Sequence, residues 1–220
     1  MMKFNILTIF PDIFNSYINE SILKRAQKKK LVEIKTHNLR DVVSNSHKTV
    51  DDKPYGGGPG MVMMVEPIYK TLNKIKKAKK SQVILLDPAG QQFNQKMAEK
   101  FSQFDQLIFI CGRYEGVDAR VDKFIDQKIS IGPYVLSGGE LPALIIIEAV
   151  ARLIPNVIGK QESLIEETHN QQGYIEYPQY TRPEAFNYKE KNKIKKLHVP
   201  GILLSGHHKQ IGEWRRKHRK

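Results

Sequence analysis

Short apolar segments rich in β-branched residues alternate with longer amphipathic segments through most of this chain. The pattern predicts strands at 4–10, 32–35, 82–86, 106–111 and 128–131. It predicts helices at 11–28, 66–79, 95–104, 117–124 and 138–154. Such alternation is typical of a mostly parallel α/β sheet with helices on both faces. Ligand sites in these sheets lie outside the carboxyl ends of the strands, so function is expected in the loops that follow them.

Glycine-containing loops follow three of the predicted strands directly. They are Asp87-Pro88-Ala89-Gly90, the segment 111–116, and the segment 132–142, which reads GPYVLSGGELP. We expect these loops to meet at one edge of the sheet and to line a ligand pocket with backbone groups. None of them has the Lys-Ser/Thr of a P-loop or the Gly-x-Gly-x-x-Gly of a dinucleotide site.

The pattern also divides the chain into a larger first part and a small last part. Ser137 and Glu140 have the spacing of a helix capping box, which predicts a helix start near Gly138. Periodicity is lost after this helix, and we predict a domain at 1–158, a flexible linker at 159–173 and a helical domain at 174–220. A second capping box at 181–184 and Ser205 predict helix starts in the last part.

The chain is strongly basic, with a formal net charge of +13 and lysine clusters at 28–30, 74–80 and 189–196. Such an excess favours a polyanionic partner such as nucleic acid, although a lysine-rich composition alone also produces basic surfaces. The longest apolar run, 143–147, is too short to cross a membrane, and no secretion signal is visible. A single cysteine, Cys111, excludes an intramolecular disulfide. We therefore expect a soluble, cytoplasmic protein with no membrane partner.

Five long motifs make the chain similar to a known family. They are DDKPYGGGPGM at 51–61, CGRYEGVDARV at 111–121, SIGPYVLSGGELPAL at 130–144, EYPQYTRP at 176–183 and LLSGHHKQIGEWR at 203–215. In this order they resemble the bacterial tRNA (guanine-N1)-methyltransferases of the SPOUT superfamily. The resemblance implies methyl transfer from S-adenosyl-L-methionine to N1 of the tRNA guanosine at position 37, immediately 3′ of the anticodon. It also implies a homodimer and a deep trefoil knot, which general topology rules would not have predicted.

The resemblance assigns the cofactor pocket to the three post-strand loops. By motif position, the cofactor-binding residues are Leu86, Asp87, Pro88, Gly112, Arg113, Tyr114, Glu115, Gly116, Ile131, Gly132, Tyr134, Leu136, Gly138, Gly139 and Pro142. Backbone groups can recognise the adenine edge while apolar side chains cover the ring. The Glu115 carboxylate can accept from ribose hydroxyls or lie near the sulfonium, unless it serves only the start of the next helix.

Methylation of guanine N1 requires two further groups. N1 must lose a proton to become nucleophilic, and negative charge then develops on O6, so the site needs a base and a cationic donor. By motif position Arg152 is the donor, although a solvated ion pair with Glu148 is the alternative role. Glu167 is the expected base in a linker where the family usually has Asp. Alignment from Gly173 backwards places Thr168 at that position instead, but a hydroxyl is a poor base.

The resemblance places tRNA contacts in two regions. The substrate-binding residues are His47, Asp51, Pro59 and Gly60 in the first region, and Lys195, His207, Trp214 and Arg215 in the second. Stacking and phosphate contacts are expected to dominate this recognition. No metal-ligand cluster is visible, so we expect the Mg²⁺ that the family requires to accompany tRNA or the cofactor. The competing interpretations are a SPOUT enzyme with another RNA target and a non-catalytic RNA-binding module.

Overall fold

The computed structural model describes residues 1–159, 168–169 and 173–219. Contacts between Cα atoms divide the chain into two units, Met1–Gly159 and Lys160–Lys220. The strands are β1 (Met2–Thr8), β2 (Val32–Asn38), β3 (Asp51–Asp52), β4 (Val62–Met63), β5 (Ser81–Gln92), β6 (Gln106–Cys111), β7 (Gln127–Ser130), β8 (Ala185–Glu190) and β9 (Lys193–His198). The helices are α1 (Asn15–Ile18), α2 (Ser21–Lys28), α3 (Val65–Lys74), α4 (Gln95–Phe101), α5 (Glu140–Ala151), α6 (Gly201–Leu204) and α7 (His208–His218).

A five-stranded parallel sheet with the order β2-β1-β6-β5-β7 forms the centre of the first unit. All five strands point their carboxyl ends to the same edge because each neighbouring pair is parallel. Short 3₁₀ helices at Pro11–Phe14, Leu39–Val42 and Ala119–Lys123 complete the connections. The predicted mixed α/β architecture with a mostly parallel sheet is therefore confirmed.

Both faces of this sheet are buried, which explains why its strands read as nearly continuous apolar runs. In β6, Leu107, Phe109 and Cys111 pack into one core cluster, while Ile108 and Ile110 pack into the other. Successive side chains of a strand point to opposite faces, so one strand supplies both cores. The predicted placement of helices on both faces follows, with α5 in the first cluster and α3 in the second.

Helix α5 is apolar around most of its circumference. Ala143, Ile146, Ile147 and Val150 are fully buried against the sheet, whereas Leu141 and Ile145 remain 57% and 47% exposed. These two side chains lie one turn apart on the helix, so they form one outward apolar strip. We call Leu141 and Ile145 the outer strip of α5.

The predicted helix at 11–28 is interrupted, and the interruption has a local cause. The Asn19 side-chain amide donates to the carbonyl of Asn15 at 2.8 Å, and Ser21 has a φ of +47°. Side chains of Asn compete in this way with the helical hydrogen-bond ladder. The segment therefore forms a 3₁₀ turn followed by α1 and α2 instead of one continuous helix.

The second unit contains a β-hairpin in addition to helices. Strands β8 and β9 pair antiparallel across the turn residues Lys191 and Asn192, whose φ values are +46° and +65°. Two consecutive positive φ values fit the tight turn that matches the twist of a two-residue hairpin. The capping box at 181–184 precedes this hairpin and starts no helix, so that prediction was wrong. No helix among the described residues is long and apolar enough to cross a membrane.

Candidate functional site

A cavity of about 280 Å³ lies at the carboxyl ends of β6 and β7 and beside a bulge in β5. Three loops surround it: the first loop (86–90), the second loop (112–116) and the third loop (131–139). The lining residues are Leu85, Leu86, Asp87, Pro88, Gly112, Arg113, Tyr114, Glu115, Gly116, Val117, Ile129, Ser130, Ile131, Tyr134, Val135, Leu136, Ser137, Gly138, Gly139 and Pro142. The three loops converge at one edge of the sheet as predicted, but the first is a bulge within β5 and does not follow the end of that strand.

The first loop is a short excursion from a strand that continues beyond it. Leu86 and Gln91 both register with Ile129 of β7, so residues 87–90 bulge out of the ladder between them. The Asp87 carboxylate accepts from the Ala89 N–H at 2.8 Å and stabilises the bend. A Cβ atom at Gly90 would lie 2.5 Å from the backbone nitrogen of Ile129, so only glycine fits the return.

The second loop is a tight turn that is hydrogen-bonded to β4 and to Met61, the residue before β4. The Gly116 N–H donates to the carbonyl of Arg113 at 3.1 Å, and Tyr114 has a φ of +60°. The Glu115 N–H donates to the carbonyl of Met61 at 3.1 Å, and the Met63 N–H donates to the carbonyl of Gly116 at 2.9 Å. These bonds hold the second loop against Met61 and Met63, directly after the predicted tRNA-binding residues Pro59 and Gly60.

The third loop returns to the second loop before α5 begins. The Gly139 N–H donates to the carbonyl of Gly112 at 3.0 Å, and Gly138 forms an antiparallel bridge with Arg113. A Cβ at Gly139 would lie 2.8 Å from the Cα of Cys111, and one at Gly138 would overlap the Arg113 side chain. The glycine pair therefore admits neighbouring protein groups in addition to lining the cavity.

Gly132 is the one predicted cofactor residue that does not line the cavity. Its carbonyl accepts from the Tyr134 N–H at 2.9 Å and from the Ser130 hydroxyl at 2.9 Å. The space on its Cβ side is filled by the Tyr134 ring, so a larger residue would displace that ring. Gly132 shapes the third loop from beneath Tyr134.

Glu140 does not complete a capping box, in contrast to the prediction. No side chain caps α5, and the Glu140 carboxylate is 1% exposed. It accepts from the Thr8 hydroxyl at 2.8 Å and from Arg113 Nε at 2.9 Å. Burial, with a contribution from the negative charge of Glu140, raises the pKa of the adjacent Cys111 thiol well above its ordinary value. This buried network was missed because its members lie far apart in the sequence.

The predicted catalytic residues are described only in part. Arg152 lies at the carboxyl end of α5, where its N–H donates to the carbonyl of Glu148 at 3.2 Å. Glu167 lies outside the described residues. Thr168 is described, and its hydroxyl accepts from the Glu176 N–H at 3.1 Å. Arg152 does not line the cavity, but its helix begins at the cavity wall.

The predicted tRNA residues of the first unit lie on and beside a glycine-rich loop. Asp51 pairs with Met63 in the β3–β4 sheet, and the glycine loop (53–60) connects these strands. A Cβ at Gly60 would lie 2.6 Å from the Glu115 side chain, so the glycine loop touches the second loop. Pro59 and His47 are exposed. The structure thus brings Gly60 to the cavity region, while His47 lies in the preceding loop.

In the second unit, two of the predicted tRNA residues belong to one aromatic cluster. The Trp214 ring stacks on the His218 ring at 4.1 Å, and the Arg215 guanidinium lies 4.9 Å from the Tyr177 ring centroid. Trp214 and Arg215 also line a cavity of about 870 Å³. Lys195 pairs with Glu190 across the hairpin, and His207 precedes α7 without lining that cavity.

The two cavities differ in the chemistry that they can support. The first combines backbone amides and carbonyls with apolar side chains and the exposed Glu115 carboxylate, as expected for a small-molecule site. The second offers aromatic rings and guanidinium groups, which favour stacking and anion contacts. Within the part of the chain that the structure describes, no group of three His, Cys, Asp or Glu residues is placed to hold a metal ion.

Comparison with known proteins gives a consistent family. Residues 2–220 match the family model described as tRNA (Guanine-1)-methyltransferase TrmD. A tRNA (guanine-N(1)-)-methyltransferase of Dictyoglomus turgidum is 54% identical over 217 residues, covering 99% of this chain and 84% of the relative. Proteins of the same name from Clostridioides difficile and Enterococcus faecalis are 49% and 48% identical, covering 98% of this chain and 91% and 85% of the relatives. The chain therefore belongs to the tRNA (guanine-1)-methyltransferase family.

Proposed function

We propose that the protein transfers a methyl group from S-adenosyl-L-methionine to N1 of the guanosine immediately 3′ of the anticodon in tRNA. The observation that carries the proposal is the cavity formed by three loops at one sheet edge in a chain of this family. Relatives about half identical to it over nearly its full length have names that specify tRNA and guanine N1. A cytoplasmic location accords with a tRNA substrate.

The residues around the first cavity fit the cofactor. Leu86, Ile131 and Leu136 provide apolar walls for a planar ring, and the glycine backbone of the second and third loops provides donors and acceptors. The Glu115 carboxylate can accept hydrogen bonds from ribose hydroxyls, and its negative charge can attract the sulfonium. When bound, S-adenosyl-L-methionine supplies a methyl group activated by its positively charged sulfur. The loops orient that donor, which is a positioning task.

Arg152 and Glu167 are proposed as the catalytic residues. A guanidinium at the end of α5 can stabilise the negative charge that develops on guanine O6, and a carboxylate can accept the N1 proton. The hydrogen bond from the Glu176 N–H gives the Thr168 hydroxyl a structural partner. That partner, together with the weak basicity of a hydroxyl, favours Glu167 over Thr168 as the base.

The tRNA is proposed to contact both units. His47, Asp51, Pro59 and Gly60 would approach the target base, which must leave its stack to reach the first cavity. Trp214 and Arg215 would offer stacking and phosphate contacts, and Lys195 and His207 would add basic groups. The exposure of these basic residues supports the proposal. Mg²⁺ is proposed to accompany tRNA or the cofactor.

A homodimer and a deep trefoil knot complete the proposal. The outer strip of α5 supports the dimer, because Leu141 and Ile145 expose apolar surface on a helix that is otherwise buried or half-buried. The knot is supported by the family match. We further propose domains at 1–158 and 174–220 joined by a linker at 159–173.

The test of the function is methyl transfer from radiolabelled S-adenosyl-L-methionine to tRNA transcripts. We expect incorporation into a transcript with guanosine at the target position and none when that guanosine is replaced. Replacement of the neighbouring 5′ guanosine tests sequence context. Equal incorporation into transcripts with and without the target guanosine would indicate another RNA target. Cofactor binding without any transfer, or no cofactor binding, would support a non-catalytic module instead.

The test of the base is the variant Glu167→Ala. We expect methyl transfer to be lost while calorimetric binding of S-adenosyl-L-methionine persists, because the base does not hold the cofactor. Thr168→Val is the matched control, and we expect it to retain activity. Near-normal turnover by Glu167→Ala, with loss of activity in Thr168→Val, would transfer the assignment to Thr168.

A further inference from the structure

Glu140 is a fully buried acid beside the first cavity, and neither chemical role of the proposed reaction uses it. It is the one charged residue that the structure buries within the described part of the chain, at 1% exposure. Burial of an ionised carboxylate is costly unless the charge is paired and its oxygens accept hydrogen bonds. The position of its partners therefore indicates what the buried charge is for.

Both carboxylate oxygens of Glu140 have partners, and each partner comes from a different part of the fold. Oε1 accepts from the Thr8 hydroxyl at 2.8 Å, and Oε2 accepts from Arg113 Nε at 2.9 Å. Thr8 ends β1, and its own hydroxyl oxygen accepts from the Phe10 N–H at 2.9 Å. The Arg113 guanidinium also lies 4.8 Å from the Phe10 ring centroid. Each carboxylate oxygen of Glu140 therefore has one protein partner, and both partners also contact Phe10.

This network lies at the junction of two cavity walls. Arg113 belongs to the second loop, and Glu140 is the first residue of α5, directly after the third loop. A Cβ at Gly138 would come within 2.6 Å of Glu140 Oε2, so the ion pair occupies the space that the glycine leaves free. A charge-assisted hydrogen bond is shorter and stronger than a neutral one. It therefore fixes the spacing of the two loops.

We infer that Glu140 is a positioning residue for cofactor binding: with Thr8 as its second partner, its buried carboxylate holds Arg113 and keeps the second and third loops at the spacing that S-adenosyl-L-methionine requires. The inference rests on the proposed function, because it takes this cavity as the cofactor site. Removal of the charge weakens the interaction that holds the Arg113 side chain. The second loop then samples arrangements that the cofactor does not fit.

The experiment measures calorimetric binding of S-adenosyl-L-methionine alone, together with steady-state methylation of the tRNA transcript. Glu140→Gln keeps the size of the side chain and removes its charge, and we expect cofactor affinity to weaken by about tenfold. Thr8→Val removes one partner, with an expected weakening of about threefold. In both variants the KM for the cofactor should rise more than kcat falls, and the KM for tRNA should stay constant.

Thr71→Val is the matched control. Thr71 is also a buried threonine, but its hydroxyl donates within α3 to the carbonyl of Pro67 at 2.8 Å, away from the cavity. We expect it to lower the thermal midpoint without a change in cofactor affinity, which is the result for a purely structural residue. All binding is measured well below each thermal midpoint.

The outcomes separate the inference from the function on which it rests. A wild-type protein that does not bind S-adenosyl-L-methionine would overturn the proposed function and the inference together. A wild-type protein that binds and methylates, with unchanged cofactor affinity in Glu140→Gln and Thr8→Val, would overturn the inference alone. If Glu140→Gln does not fold, Thr8→Val decides, because valine matches the shape of threonine.

Discussion

The Gly139→Ala variant tests how tightly the start of α5 packs against the sheet. A Cβ at this position would lie 2.8 Å from the Cα of Cys111 and 3.1 Å from the Cβ of Leu86. The first contact is with the backbone of a fully buried strand, so the helix must move instead of the strand. Overpacking of this kind costs about 1–3 kcal/mol of stability.

The displacement in Gly139→Ala should also affect binding. The hydrogen bond from the Gly139 N–H to the carbonyl of Gly112 joins two cavity walls, and it lengthens when the helix moves. We therefore expect a loss of about 1–3 kcal/mol in the free energy of unfolding, together with weaker binding of S-adenosyl-L-methionine. Urea titration followed by circular dichroism is the appropriate assay. The single tryptophan, Trp214, lies in the other unit and would report that unit in fluorescence.

Gly159→Ala is the control for this prediction. Nothing lies within 4 Å of a Cβ built at Gly159, and its φ lies outside the left-handed region, so we expect no loss of stability and a gain of up to about 1 kcal/mol. Stability and cofactor affinity of Gly139→Ala equal to those of the control would refute the reasoning that this glycine is required by close packing.

Three further predictions follow from burial and exposure. Burial lowers the pKa of His37, so the unfolded chain takes up its proton at a higher pH than the folded protein does. Its contribution to stability is complete above about pH 6.5 and is lost as the pH falls through the folded pKa. Urea titrations at two pH values should show that acidification lowers the free energy of unfolding less in His37→Gln than in the wild type. An equal decrease in both proteins would contradict this sign. Cys111 is fully buried, and burial raises its thiol pKa, so iodoacetamide should label it only after unfolding; rapid labelling of the native protein would refute this placement. Ile145→Lys places a charge on the outer strip of α5, and sedimentation should show half the wild-type mass if this strip forms the dimer, whereas an unchanged dimer would exclude it.

The sheet was predictable because its signal is local. All six residues of β6 are buried, and the predicted bounds 106–111 coincide with the observed Gln106–Cys111. Parallel pairing then places the strand ends at one edge, which is why three loops that lie far apart in the sequence converge on one cavity. Strand ends and loop positions need no knowledge of individual side-chain contacts.

The role of Glu140 was not predictable because it depends on a contact across 132 positions of the chain. Its spacing from Ser137 fits a capping box equally well, and only the fold shows that the carboxylate turns inward to Thr8 and Arg113. The same limit applies to Gly138, whose missing side chain makes room for that ion pair. Local spacing cannot distinguish a helix cap from a long-range partner.

The hairpin of the second unit was missed for a different reason. Its turn residues, Lys191 and Asn192, both adopt positive φ values, but only asparagine is a common residue for that conformation. The strands on either side are almost entirely exposed, so they lack the alternation of apolar and polar residues that marks a half-buried strand. Composition in this region therefore indicated charge and not secondary structure.

The three walls of the first cavity are not equally free to adjust. The first loop leaves β5 after Leu86 and re-enters the same strand at Gln91, so the sheet clamps both of its ends. The second and third loops each have only one end on the sheet. A ligand that requires a wider opening must therefore displace the second or third loop, while the Leu86–Pro88 wall acts as a fixed template. A competing compound must therefore match the shape of the Leu86–Pro88 wall, because that wall cannot adjust to the compound.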